Sequence, residues 1–163
     1  MKTLFRTLLF LALALWVGAE CFFPFVAATV FSVLSPDTHT AGIIVGHLLK
    51  ILHGIGFGAG MVAVFVLARM AALKHCRSRA AVLPICLLAV AIALTLYSQY
   101  AITPVMERDR IAAGGSVDAA APTNPARIDF KRLHKRSEHT EGLILLLAVA
   151  ALIATASSES LRS

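Results

Sequence analysis

His47, Lys50 and His53 recur at every third residue in a stretch of chain where a membrane-crossing helix would ordinarily carry only hydrocarbon. Neutral imidazoles can ligate zinc, copper or haem iron, and an imidazole beside a carboxylate can hold or relay a proton. Steps of three residues turn each side chain about 60° from the last, so the trio sweeps a stripe and need not share one ligand. Lys50 between the histidines opposes a common cation site. Glu20, in the preceding apolar stretch, falls at the depth of His53 if the two stretches are antiparallel neighbours, which makes Lys50 or His53 its expected partner. The expected polar seam is therefore Glu20, His47, Lys50 and His53. Pro24 lies four residues beyond Glu20 and deprives its carbonyl of a helical N–H. His134 falls on the same membrane side as His47, and with Tyr97 and Gln99 these two are the candidate metal or haem ligands. No cofactor is expected.

Positioning these groups requires four helices. The chain has 163 residues, 58% of them hydrophobic and 15% charged, with a mean hydropathy of +0.81, far more apolar than a soluble domain. Apolar runs predict spans at about 7–31, 43–70, 81–103 and 139–156, judged against the roughly 20 residues that cross a bilayer. The fourth run, from Gly142 to Ala156, is short and is expected to extend backwards through Ile128 to Glu141. A single domain of all-α class follows: an integral membrane four-helix bundle with a long flexible linker at about 109–126 and a basic amphipathic helix leading into the fourth span. On that entry helix Phe130, His134, Ser137 and Glu141 share one face, and Lys131 and Lys135 lie beside it.

Lys2 and Arg6 before a Leu-rich run suit a signal peptide, but Glu20 and the apolar continuation to Leu34 favour an uncleaved first helix. Basic residues in the second loop place the N-terminus in the cytoplasm of a plasma or inner membrane, while Arg108 to Arg136 argue the opposite way. The net charge of +6 is assigned to lipid headgroups and not to nucleic acid. Cys21, Cys76 and Cys86 show no C-x-x-C spacing, so neither a disulfide framework nor a thiolate zinc site is expected.

Gly54, Gly56, Gly58 and Gly60 superficially match a dinucleotide fingerprint, but no strand precedes them. Glycines at i and i+4 instead permit close approach of another helix, in this chain or a second copy. No Ser/His/Asp set, carboxylate pair or H-E-x-x-H spacing is present, so a non-enzymatic protein is expected. The leading expectation is a protein that binds or passes a small polar solute or ion at the seam. The alternatives are a haem- or metal-binding redox protein and a scaffold recruiting lipid or a partner subunit.

Local patterns recur in order along the chain: Leu15-Trp16-Val17-Gly18, Ala41-Gly42, Tyr100-x-x-Thr103-Pro104-x-x-x-Arg108 and Phe130-x-x-Leu133-His134-x-x-Ser137. Together they resemble the transmembrane-protein-205-like family of small four-helix membrane proteins. That resemblance implies the fold but no established activity, and it marks Trp16, Gly18, Pro104, Arg108, Phe130, His134 and Ser137 as motif positions.

Overall fold

The computed structural model describes residues 2–73 and 78–157. Lys74, Cys76 and Arg77, three residues of the basic second loop, lie outside the described residues. Long, predominantly apolar sequence forms α1 (Lys2–Val33), α2 (Thr38–Ala72) and α3 (Ser78–Tyr97), with Pro24 inside the first and Pro84 inside the third, followed by α4 (Thr103–Ala112) and α5 (Pro125–Ser157). Four helical stretches are long and apolar enough to cross a membrane, the third running through α3 and α4 from Ala80 to Ala112. With Leu4, Leu11, Phe22, Phe25, Phe65 and Leu146 turned outward, the chain is a multi-pass membrane protein. No strand occurs among the described residues.

The helices close into a ring: α1 packs on α2 and α5, and α3 packs on the same two helices from the other side. At 32 and 35 residues, α1 and α2 are roughly 48 and 52 Å long, so they overrun a 30 Å hydrocarbon layer. The fourth span does extend backwards as one helix, α5, from Pro125. Asn124 caps it, its Oδ1 accepting the N–H groups of Ala126 at 2.9 Å and Arg127 at 3.3 Å, and Pro125 follows at the position where a missing N–H costs nothing.

The third helical stretch does not stop at 103. Pro104 has no N–H to offer the carbonyl of Tyr100, and the chain answers by widening into a π-turn over Ser98–Ile102 before α4 resumes. Thr103 closes that turn: its N–H and its hydroxyl both donate to the Ser98 carbonyl, the hydroxyl at 2.9 Å. Consequently the first residues of the expected linker are helical, with Arg110 donating to Glu107 one turn earlier. The rest of the linker folds onto the bundle, where Arg110 reaches the Gly115 carbonyl and Arg127 the Ala120 carbonyl.

Side-chain packing is uneven along the bundle axis. Leu9, Leu13 and Trp16 of α1, Val66, Leu67 and Met70 of α2, Leu88 and Ala91 of α3, and Ile144, Ala148 and Ala151 of α5 form one buried cluster. All of it lies toward the end that holds the α1 N-terminus and the α5 C-terminus. At the opposite end the helices enclose space.

Candidate functional site

Where the filled half meets the open half, a layer of polar side chains crosses the bundle. Its centre is His53, 2% exposed, on the inward face of α2. The His53 Nδ1 lies 2.7 Å from Gln99 Oε1 and its Nε2 lies 2.9 Å from Glu141 Oε1. Both ring nitrogens thus face acceptors, an arrangement that an imidazolium satisfies with both of its N–H donors. The Ser98 hydroxyl donates to the same Glu141 oxygen at 2.7 Å. Ser98 and Gln99 are consecutive, and the π-turn that Pro104 induces begins at this pair, one reaching Glu141 and the other His53. The second Glu141 oxygen is buried and accepts nothing among the described residues.

Glu20 completes the layer from α1. It is 5% exposed and its Oε1 accepts the Trp16 indole N–H at 3.1 Å. Its partner is therefore neither Lys50 nor His53, although His53 is within electrostatic reach. The indole is itself wedged against α2. A Cβ on Gly56 would come within 2.6 Å of the indole nitrogen, and one on Gly60 within 2.6 Å of the far ring edge. Gly56 and Gly60 are thus the slot that admits Trp16, whereas Gly54 and Gly58 face outward with nothing near them.

Above this layer lies a cavity of about 750 Å³. Phe23, Pro24, Phe31, Val45, Leu49 and Leu145 make its walls greasy, and Glu20 and Glu141 line its inner end. Its rim, at the loop end, carries His39, Arg110, Asp118, Lys131, His134 and Glu138. Arg110 is fastened there by Glu107 at 2.6 Å and by His39 at 3.1 Å. Along α5 the lining runs from Lys131 to Leu145, roughly 21 Å of helix.

The expected seam is therefore divided. Glu20 and His53 face inward, but His47 and Lys50 are exposed. His47 turns its Nδ1 to its own Ile43 carbonyl at 2.8 Å, and both it and Lys50 act electrostatically on Glu107 of α4. The 60° offset that spreads the stripe is enough to take Lys50 off the face that His53 occupies. His134 lines the cavity rim, stacked on Phe130 at 6.0 Å and 3.3 Å from Glu138, and His47 is not part of that lining. Among the described residues no group of three His, Cys, Asp or Glu side chains could hold a metal.

Of the motif positions, Trp16 and Ser137 are buried, and Phe130, His134 and Ser137 line the cavity. Arg108 is 73% exposed beside Asp109, and Gly18 is exposed with nothing near it. Glu141 and Ser98 were missed as site residues. The signal for both was polarity within apolar sequence: Ser98-Gln99 interrupts the third run, and Glu141 sits one residue before the fourth.

A family model described as a domain of unknown function, DUF4149, matches residues 11–111, which is more than half of the chain. No curated protein and no solved structure matches.

Proposed function

We propose that this chain, which belongs to the DUF4149 family of unknown function, binds a small amphipathic solute in the open half of its bundle and catalyses no reaction on it. The observation that carries this reading is the 750 Å³ cavity with apolar walls and two carboxylates at its inner end. A cavity of this size and lining is what a small-molecule site requires: greasy walls for affinity and a few placed polar groups for orientation. Below Glu20 and Glu141 the core is filled, so the arrangement suits binding better than passage. The resemblance to transmembrane-protein-205-like proteins belongs to this same proposal. So does a cytoplasmic N-terminus in a plasma or inner membrane, which would turn the cavity mouth away from the cytoplasm. The bilayer is the proposed partner of the outer surface, and the outward Gly54 and Gly58 offer a second copy or another membrane helix a close approach.

Trp16 is the single tryptophan and sits directly beneath Glu20, so its emission reports on occupancy. Titrating 1-adamantanol, a neutral amphipath, into detergent-purified protein should shift that emission saturably. Gly46 lines the cavity and a Cβ there meets nothing within 4 Å, so Gly46→Phe should fill the space without disturbing the helix and should abolish the shift. An unsaturable response, or one equal in both proteins, would refute the reading.

A further inference from the structure

The inner end of the cavity has a charge imbalance that identifies its ligand. Glu20 and Glu141 each present a carboxylate there, from α1 and α5, and among the described residues only His53, from α2, opposes them; Gln99 and Ser98 on the remaining face are neutral. With both carboxylates ionised and the imidazole protonated, the layer carries one negative charge more than positive. Glu20, nine-tenths buried, has one oxygen on the Trp16 indole, and its other oxygen takes no hydrogen bond from the described residues. The second oxygen of Glu141 is likewise unclaimed. Two carboxylates that line the inner end of one cavity, each with an oxygen that takes no hydrogen bond from the described residues, are a site for a hydrogen-bond donor bearing one positive charge. In a low-dielectric surrounding the surplus charge must be matched, either by a proton on the pair or by a cation.

We infer that the cavity takes an organic monocation, a protonated amine on a compact apolar body, whose ammonium enters first and lodges between Glu20 and Glu141. This rests on the binding reading above and adds the charge of the ligand. The apolar body then lies against Phe23, Phe31 and Leu49. Cation and proton compete for the same pair: when the ammonium arrives, a carboxyl proton leaves to solvent as H⁺, so charge is conserved at the site. The rim groups, His39, Arg110, Asp118, Lys131, His134 and Glu138, include acids and bases in equal number apart from the histidines, and they do not alter the imbalance at the inner end.

The test compares 1-aminoadamantane with 1-adamantanol, equal in shape and different in charge, by isothermal titration calorimetry on the detergent-purified protein. The amine should bind at least tenfold more tightly than the alcohol at pH 7.5, with a binding enthalpy that varies with the ionisation enthalpy of the buffer because a proton is released. The preference should shrink at pH 5.5. Glu20→Gln and Glu141→Gln should each bring the amine down to the affinity of the alcohol, and continued alcohol binding shows that each variant is folded. Equal binding of amine and alcohol by the parent, or a preference that survives both substitutions, would overturn the inference while leaving the binding reading in place. If neither compound binds, both fall together.

Discussion

The two ends of this bundle are built from the same helices and packed in opposite ways. Around Trp16 the helices meet through Leu, Val, Met and Ala in one buried cluster, with a slot cut by Gly56 and Gly60. Above Glu20 the same α1, α2 and α5 stand apart around a cavity of about 750 Å³. Without a hydrophobic drive between helices in lipid, a membrane bundle holds together by close packing and interhelical hydrogen bonds. The filled half therefore carries the stability, and the open half is free to carry a ligand. The polar layer between them serves both ends, tying α2, α5 and the π-turn after α3 together through His53, Glu141, Ser98 and Gln99, while its carboxylates line the cavity.

The hardest way to strain this contrast is to substitute one large side chain in each half. Trp16 is fully buried, so Trp16→Ala should cost about 3–5 kcal/mol, and it also strips Glu20 of its indole donor. Phe31 is 40% exposed on the cavity wall, and Phe31→Ala should cost only about 0.5 kcal/mol. Thermal unfolding in detergent measures both, and comparable losses would mean that the open half is as structural as the filled one.

Backbone approach sharpens the same comparison within a single helix. In Gly60→Ala the new Cβ meets Trp16 at 2.6 Å and Ile92 at 2.9 Å, an overpacking worth about 1–3 kcal/mol. Gly58→Ala meets nothing and should stabilise the helix by about 0.5–1 kcal/mol. Opposite signs for glycines two residues apart would show that the run serves one indole and not a general helix contact. Equal signs would return it to a diffuse packing role.

Much of this was legible before any coordinates, and the reason is physical. Hydrophobic length predicts the first three crossings, and the absence of Gly and Pro in Ile128 to Glu141 predicts that the short fourth run reaches back far enough to make another. Depth matching puts Glu20 and His53 in one layer, and the two are buried within electrostatic reach of each other. It cannot tell which neighbour each will meet, because depth says nothing of rotation about the helix axis. Lys50 is a single turn from His53 yet points out, the Trp16 indole takes the place beside Glu20 that Lys50 or His53 was expected to fill, and Glu141 on α5 pairs with His53. The third span, expected at about 81–103, ends one residue short of Pro104, where a missing N–H commonly interrupts a helix. The alternative is a π-turn that absorbs the missing donor, begins at Ser98 and Gln99 and is closed by Thr103.

At the boundary layer the expected effects are smaller. Ser98→Ala removes one of the two donors to Glu141 Oε1 and leaves His53 in place, so a loss of about 1 kcal/mol is expected. Ser137 is buried on the cavity side without a hydrogen bond of its own among the described residues, and Ser137→Ala should leave stability unchanged in the same melts. A loss at Ser137 equal to that at Ser98 would move the structural boundary up into the cavity.

The smallest effect concerns the mouth, where α2 begins. Asp37 caps that helix, accepting the Thr40 N–H at 3.0 Å, and the cap fixes the first turn that carries His39 to the cavity rim. Hydrogen bonding by Thr40, through its side chain first and its backbone N–H second, holds the Asp37 carboxyl below its ordinary value. A carboxyl lowered on folding contributes stability above its unfolded value, about 3.9, and that contribution disappears as the pH falls through the folded value. The group is fully solvated, so only the first turn of α2 should respond. Amide exchange at Thr40 and Ala41 should therefore quicken as the pH drops below about 4, relative to intrinsic rates, and Asp37→Ala should show the quicker exchange at every pH. Protection around Trp16 should not move in either case. If it did, the mouth and the filled half would be one cooperative unit, and the division between a filled end and an open end would fail at its weakest joint.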